Sequence, residues 1–182
     1  MDDIPSGRAG GAFGPAAVAP SFILDLPVAP GGTPRLGRPG LTAGAEVATL
    51  EGVLPVEYLS PGERVVTRAG ARVLRAVTTL PLITDLVRIA PGTFGRGRPG
   101  TALILGAGTE VLLRDWRAQA LFGRAQALVA VSRVIDGRFV TRVTGGKMRL
   151  YGLHFDHPEV IYAEGVEIGC APLRMQAVAG VR

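Results

Sequence analysis

From Leu41 to Pro172 the apolar positions fall in short runs of four to eight residues and follow no sustained helical period. AEVATL (45–50), RVVTR (64–68), RVLRAVTT (72–79), LVRIA, TALIL and EVLL are rich in β-branched residues or leucine, and Gly or Pro bounds them. Turn chemistry falls between these runs, at Glu51-Gly52, at Ser60-Pro61-Gly62-Glu63 and at Gly70. Near the C-terminus RFVTRVT and KMRLYGLHF flank Gly145-Gly146, and EVIYA and VEI flank Glu164-Gly165, two hairpin signals. The pattern predicts an all-β fold that runs almost to the end of the chain. The best helical candidate is DWRAQALFGRAQAL (115–128), where Trp116, Ala120 and Leu121 or Phe122 share a face, and Gly123 limits it to a partial helix.

Residues 1–40 break this idiom, with eight glycines and seven prolines, an aperiodic excess that predicts a flexible arm. Its one apolar island is SFILDLP (21–27), which in extended form places Phe22, Leu24 and Leu26 on one side. Such an island can add to a sheet edge, although folding back on its own domain is the simpler expectation. The predicted organisation is therefore an arm over 1–40 and one β domain over 41–182.

Composition narrows the chemistry. A chain of 182 residues, 47% of them apolar and few of them aromatic, supports one aliphatic core. Cys170 is the single cysteine, which excludes an internal disulfide and a cysteine-rich zinc site. The charge of +5 comes from 20 basic residues, all but Lys147 arginine, against 15 acidic ones. The arginines are scattered, without a stacking motif or zinc-finger spacing, so nucleic acid is not an expected partner; a weak electrostatic contact through Arg64, Arg68, Arg72 and Arg75 is the residual reading. No apolar stretch approaches the roughly 18 residues of a membrane span. Asp2 and Asp3 stand where a Sec signal needs positive charge, and Pro15 and Pro20 break the apolar segment behind them. The expected location is the cytoplasm, or outside by a route the sequence does not mark.

LHFDHPEVIYAEG (153–165) holds both histidines of the chain. Pro158 disfavours helix at His157, and Val160, Ile161 and Tyr162 favour strand. In an extended segment His154 and His157, three positions apart, point to opposite faces, so they do not chelate one metal. His154 shares a face with Asp156, and His157 with Glu159. No cofactor or metal is expected.

The order of these segments is more specific than any one of them. AEVATLEGVLPVEYLSPGERVVTRAG (45–70) resembles the opening of a bacterial-type Hedgehog/intein (Hint) domain, with an A-T-x-x-G turn, a P-V-E-x-L segment and P-G-x-x-V-x-T-R-x-G. RVIDGRFVTRVTGGKMRLYGLHFDHPEVIYAEGVEI resembles its closing part, including F-D-x-x-E-V-I-x-A-x-G, and the resemblance spans roughly 40–172. It implies a compact, pseudo-symmetric all-β fold whose two ends meet at one site.

The resemblance also implies a chemistry, self-cleavage at the N-terminal junction. A Cys or Ser at the first domain residue attacks the preceding carbonyl, assisted by a mid-domain histidine. Here the first position is Gly40, which has no nucleophile, and the nearest hydroxyl, Thr42, is two residues late. The family's Ser-Pro-x-His reads Gly106-Ala107-Gly108-Thr109, so Thr109 stands at the histidine position and cannot act as a base. In the last strand Pro158 occupies the family's histidine position, with His157 one place early beside Asp156. The chain contains no asparagine for a terminal His-Asn pair. Gly40, Thr42, Thr109, Asp156 and His157 thus mark a remnant site, with Thr109 expected near Asp156. The expected function is a degenerate Hint-like module that binds or builds and does not process itself. Self-cleavage through Thr42 or Cys170 is the alternative. A protein partner is compatible with this reading, and no small-molecule substrate is implied.

Overall fold

The computed structural model describes residues 37–82, 85–143 and 148–173. The arm up to residue 36 and the Gly145-Gly146 hairpin turn lie outside them.

Among the described residues fourteen strands form two antiparallel sheets. The first contains β1 (Leu41–Thr42), β6 (Ala76–Leu82), β7 (Leu86–Ile89), β8 (Leu103–Gly106), β11 (Val140–Val143) and β12 (Met148–His154), in the order β11-β7-β8-β1-β12-β6. The second contains β2 (Glu46–Thr49), β3 (Gly52–Pro55), β4 (Arg64–Thr67), β5 (Gly70–Val73), β9 (Glu110–Leu113), β10 (Ala127–Ala130), β13 (Glu159–Ala163) and β14 (Val166–Cys170). Its order is β10-β9-β14-β13-β2-β4-β5, with β3 on β2. Two-residue β1 lies between β8 and β12, so the chain enters the fold through the middle of the first sheet.

Burial follows the two-residue period of a strand: in β13 Glu159, Ile161 and Ala163 are buried, while Val160 and Tyr162 are only partly covered. The core is aliphatic, built around Val47, Val65, Leu105, Val111, Ile161 and Ile168, with Phe155 as its largest fully buried side chain. Glu159 occupies a core-facing position because it is paired there. It accepts from Arg72 Nε at 3.1 Å, and its other carboxylate oxygen lies 3.0 Å from the Thr67 hydroxyl.

Two hairpins use one device. In Thr49-Leu50-Glu51-Gly52 the Thr49 hydroxyl donates to Gly52 O at 2.7 Å and accepts Glu51 N–H at 3.2 Å. In Thr67-Arg68-Ala69-Gly70 the Thr67 hydroxyl donates to Gly70 O at 2.7 Å and accepts Ala69 N–H at 3.1 Å. Each closes on a glycine of positive φ, +125° at Gly52 and +97° at Gly70. The repeated T-x-x-G therefore fixes the β2–β3 and β4–β5 turns.

The helical candidate divides. Asp115 caps α1 (Trp116–Phe122) by accepting Arg117 N–H at 2.9 Å, and Gly123 ends it with φ 65°. The alanine-rich continuation becomes β10, because pairing with β9 outweighs its helical propensity. The segment read as one strand at 153–165 also divides. β12 stops at His154, Asp156 and His157 form a bend, and β13 starts at Glu159. Pro158, which has no N–H to give a ladder, sits at the break.

Candidate functional site

The entering chain and the turn between β8 and β9 meet backbone to backbone. Arg38 O accepts Gly108 N–H at 3.4 Å, and Gly40 O accepts Gly106 N–H at 2.9 Å. A Cβ on Gly108 would stand 1.8 Å from Gly37 O, and one on Gly106 would stand 2.1 Å from Arg38 O. Neither position admits a side chain while the chain takes this path. The Gly-Ala-Gly sequence is therefore a slot cut to receive residues 37–40. Gly40 has φ 147°, and a Cβ there would lie 2.9 Å from Leu150 Cβ.

Thr109 closes the slot. Its buried hydroxyl accepts Gly40 N–H at 2.9 Å and donates to Gly40 O at 3.0 Å. Both hydrogen-bonding functions of one residue's backbone are thus held by one side chain. Gly40 and Thr109, two of the expected site residues, are brought together.

The other three expected residues are elsewhere. The Thr42 hydroxyl is buried and donates to Ile104 O at 2.9 Å. Asp156 does not meet Thr109. It takes Arg75 in a forked pair, Nε at 3.0 Å from both carboxylate oxygens and Nη2 at 2.9 Å from Oδ2, and the guanidinium holds the carboxyl below its usual range. His157 is exposed in the bend. Among the described residues no group of three or more His, Cys, Asp or Glu side chains is placed to hold a metal.

Gly40 and Thr109 form one wall of a cleft of about 440 Å³, and Thr78, His154, Glu110 and Cys170 also line it. Sequence reasoning missed this role of His154, because whether His154 or His157 reaches the cleft depends on the register of β12 against β6. His154 Nε2 lies 2.9 Å from Thr78 Oγ1, and its buried Nδ1 has no partner. Burial pushes the Cys170 thiol up to about 12, and the Glu159 and Glu110 charges add to the effect. Loss of solvent likewise raises the Glu110 carboxyl above its ordinary value. The two candidate nucleophiles for the junction are therefore poor, the Cys170 thiol being kept protonated and the Thr42 hydroxyl tied to a carbonyl.

Three of the four arginines of the basic stripe are paired. Arg68 binds the buried carboxylate of Glu167, which Arg114 also reaches at 3.3 Å; Arg72 binds Glu159, and Arg75 binds Asp156.

The fold is that of intein-like domains. Over 71% of this chain and 96% of its own length, the solution structure of a bacterial intein-like domain from Clostridium thermocellum superposes with TM-score 0.51 at 11% identity. The crystal structure of the gp41-1 intein is similar over 71% of this chain and 97% of its own, with TM-score 0.47 at 12% identity. No curated protein matches. The family model described as "Hint domain" matches residues 39–170. The chain belongs to the Hint domain family.

Proposed function

We propose that this Hint domain does not cleave itself and serves as a binding or structural module. The observation that carries this reading is the junction at Gly40. A residue without a side chain occupies the nucleophile position, and the hydroxyl at the histidine position is spent on that residue's own N–H and C=O. The family's chemistry needs an attacking atom and a proton acceptor there, and the arrangement offers neither. The glycine slot supports a structural role for the same residues, since it fastens the entering chain to the turn between the sheets.

The alternative, self-cleavage through Thr42 or Cys170, is disfavoured on chemical grounds. Thr42 donates its proton to Ile104 O, and Cys170 has almost no thiolate at neutral pH. The electrostatic nucleic-acid reading is weakened by the ion pairs that occupy Arg68, Arg72 and Arg75. The mass of the purified full-length chain, before and after incubation with a thiol, tests the proposal. One unchanged mass supports it, and two fragments refute it.

A further inference from the structure

The cleft contains a hydroxyl–imidazole pair that plays no part in the junction. Thr78 lies opposite Gly152 on the β6–β12 ladder, and His154 lies two residues further along the same face of β12. Gly152 makes their meeting possible. A Cβ at Gly152 would stand 2.6 Å from Thr78 Oγ1 and 3.3 Å from His154 Nε2, so hydroxyl and imidazole share the space of the missing side chain. They approach to 2.9 Å, the reach required between a nucleophile and its base. Thr78 is exposed while His154 is partly covered, which gives an incoming group access to the oxygen. Arg38 lines the same cleft.

We propose that Thr78 and His154 form an acyl-accepting dyad that reacts with activated esters or thioesters entering the cleft from outside. Thr78 Oγ1 attacks the donor's carbonyl carbon while His154 Nε2 takes the hydroxyl proton. The new C–O bond forms as the bond to the alkoxide or thiolate leaving group breaks, and the imidazolium returns the proton to that group. Water attacks the resulting threonyl ester with the same imidazole as base, which regenerates the hydroxyl and releases a carboxylic acid. No oxidant, metal or cofactor enters the balance. The reaction leaves the polypeptide chain intact, so it is independent of self-cleavage and goes beyond the reading given above.

The test uses the full-length chain and p-nitrophenyl acetate as the probe. Nitrophenolate release above buffer is expected, with one acetyl group per chain located on the peptide carrying Thr78 after acid quench. Thr78→Val and His154→Gln should each lower the rate about 10–100-fold. Gly152→Ala should lower it as well by driving the pair apart, and His157→Ala, an imidazole outside the cleft, should leave it unchanged. Circular dichroism of each variant shows whether the sheet is retained. Retained sheet with an undiminished rate in Thr78→Val would overturn the proposal, as would acetyl found only at other side chains. A Thr78→Val protein that fails to fold leaves the location of the acetyl group in the parent chain to decide, and absence from Thr78 then refutes the dyad.

Discussion

Thr109 grips Gly40 by both ends of its backbone, its hydroxyl 2.9 Å from the N–H and 3.0 Å from the C=O. Thr109→Val keeps the shape and removes both bonds. It leaves Gly40 N–H unpaired in a buried position, whereas Gly40 O still accepts from Gly106 N–H. The expected cost is about 1–3 kcal/mol of stability, read as a lower urea midpoint at unchanged slope. An unchanged midpoint would mean that the hydroxyl does not hold the junction.

The glycine slot makes a sharper demand. In Gly108→Ala the new Cβ meets a backbone oxygen that cannot rotate away, 1.8 Å distant, so a loss of roughly 1–3 kcal/mol or more is expected. Gly100→Ala is the matched control, because the nearest atom to its Cβ is 4.0 Å away. Equal thermal midpoints for the two variants would rule out the packed slot.

Cys170 should be chemically quiet in the folded protein. With the thiol pushed up to about 12, iodoacetamide at pH 8 should alkylate it at least about a hundredfold more slowly than in the urea-unfolded chain. Comparable rates would restore Cys170 as a candidate nucleophile.

The loop before β11 supplies a pH signature. Partial burial pushes the Asp136 carboxyl up, but N–H bonds from Arg138 at 2.8 Å, Phe139 at 2.7 Å and Val140 at 2.9 Å, with the Arg117 charge, outweigh it and hold the group below 3.8. A carboxyl lowered by folding stabilises above its unfolded value, and that stability is lost as pH falls through the folded value. The stability difference between the parent protein and Asp136→Asn should therefore be constant from pH 7 to about 5 and shrink below about pH 4. A difference that stays constant throughout would contradict the assignment.

The turns were the most legible part of the sequence. T-x-x-G at 49–52 and 67–70 carries its own hydrogen bonds, and Glu164-Gly165 takes the paired positive φ angles of a tight hairpin, 50° and 73°. The limits of α1 were legible at Asp115 and Gly123, but the switch of 127–130 to strand depends on β9 and was not. At the site, the family resemblance grouped Gly40 and Thr109 with Thr42, Asp156 and His157 and placed Thr109 near Asp156; the bonds from Thr109 to Gly40 are visible only in the structure. The place of His154 was not legible, because strand alternation fixes opposite faces without saying which one looks into the cleft. In the sequence Gly106 and Gly108 are only neighbours of Thr109 in the block that departs from the family's Ser-Pro-x-His. Their reason appears only when the entering backbone is seen 1.8 to 2.1 Å from where their side chains would stand.

The most direct measurement of the central claim is the intact mass of the full-length chain, taken immediately after purification and again after prolonged incubation with dithiothreitol. A Hint domain with no attacking atom at Gly40 must give one mass, that of all 182 residues, at both times. The appearance of two fragments joining at Pro39-Gly40, growing with thiol and time, would show that the junction is a working cleavage site and would contradict the account.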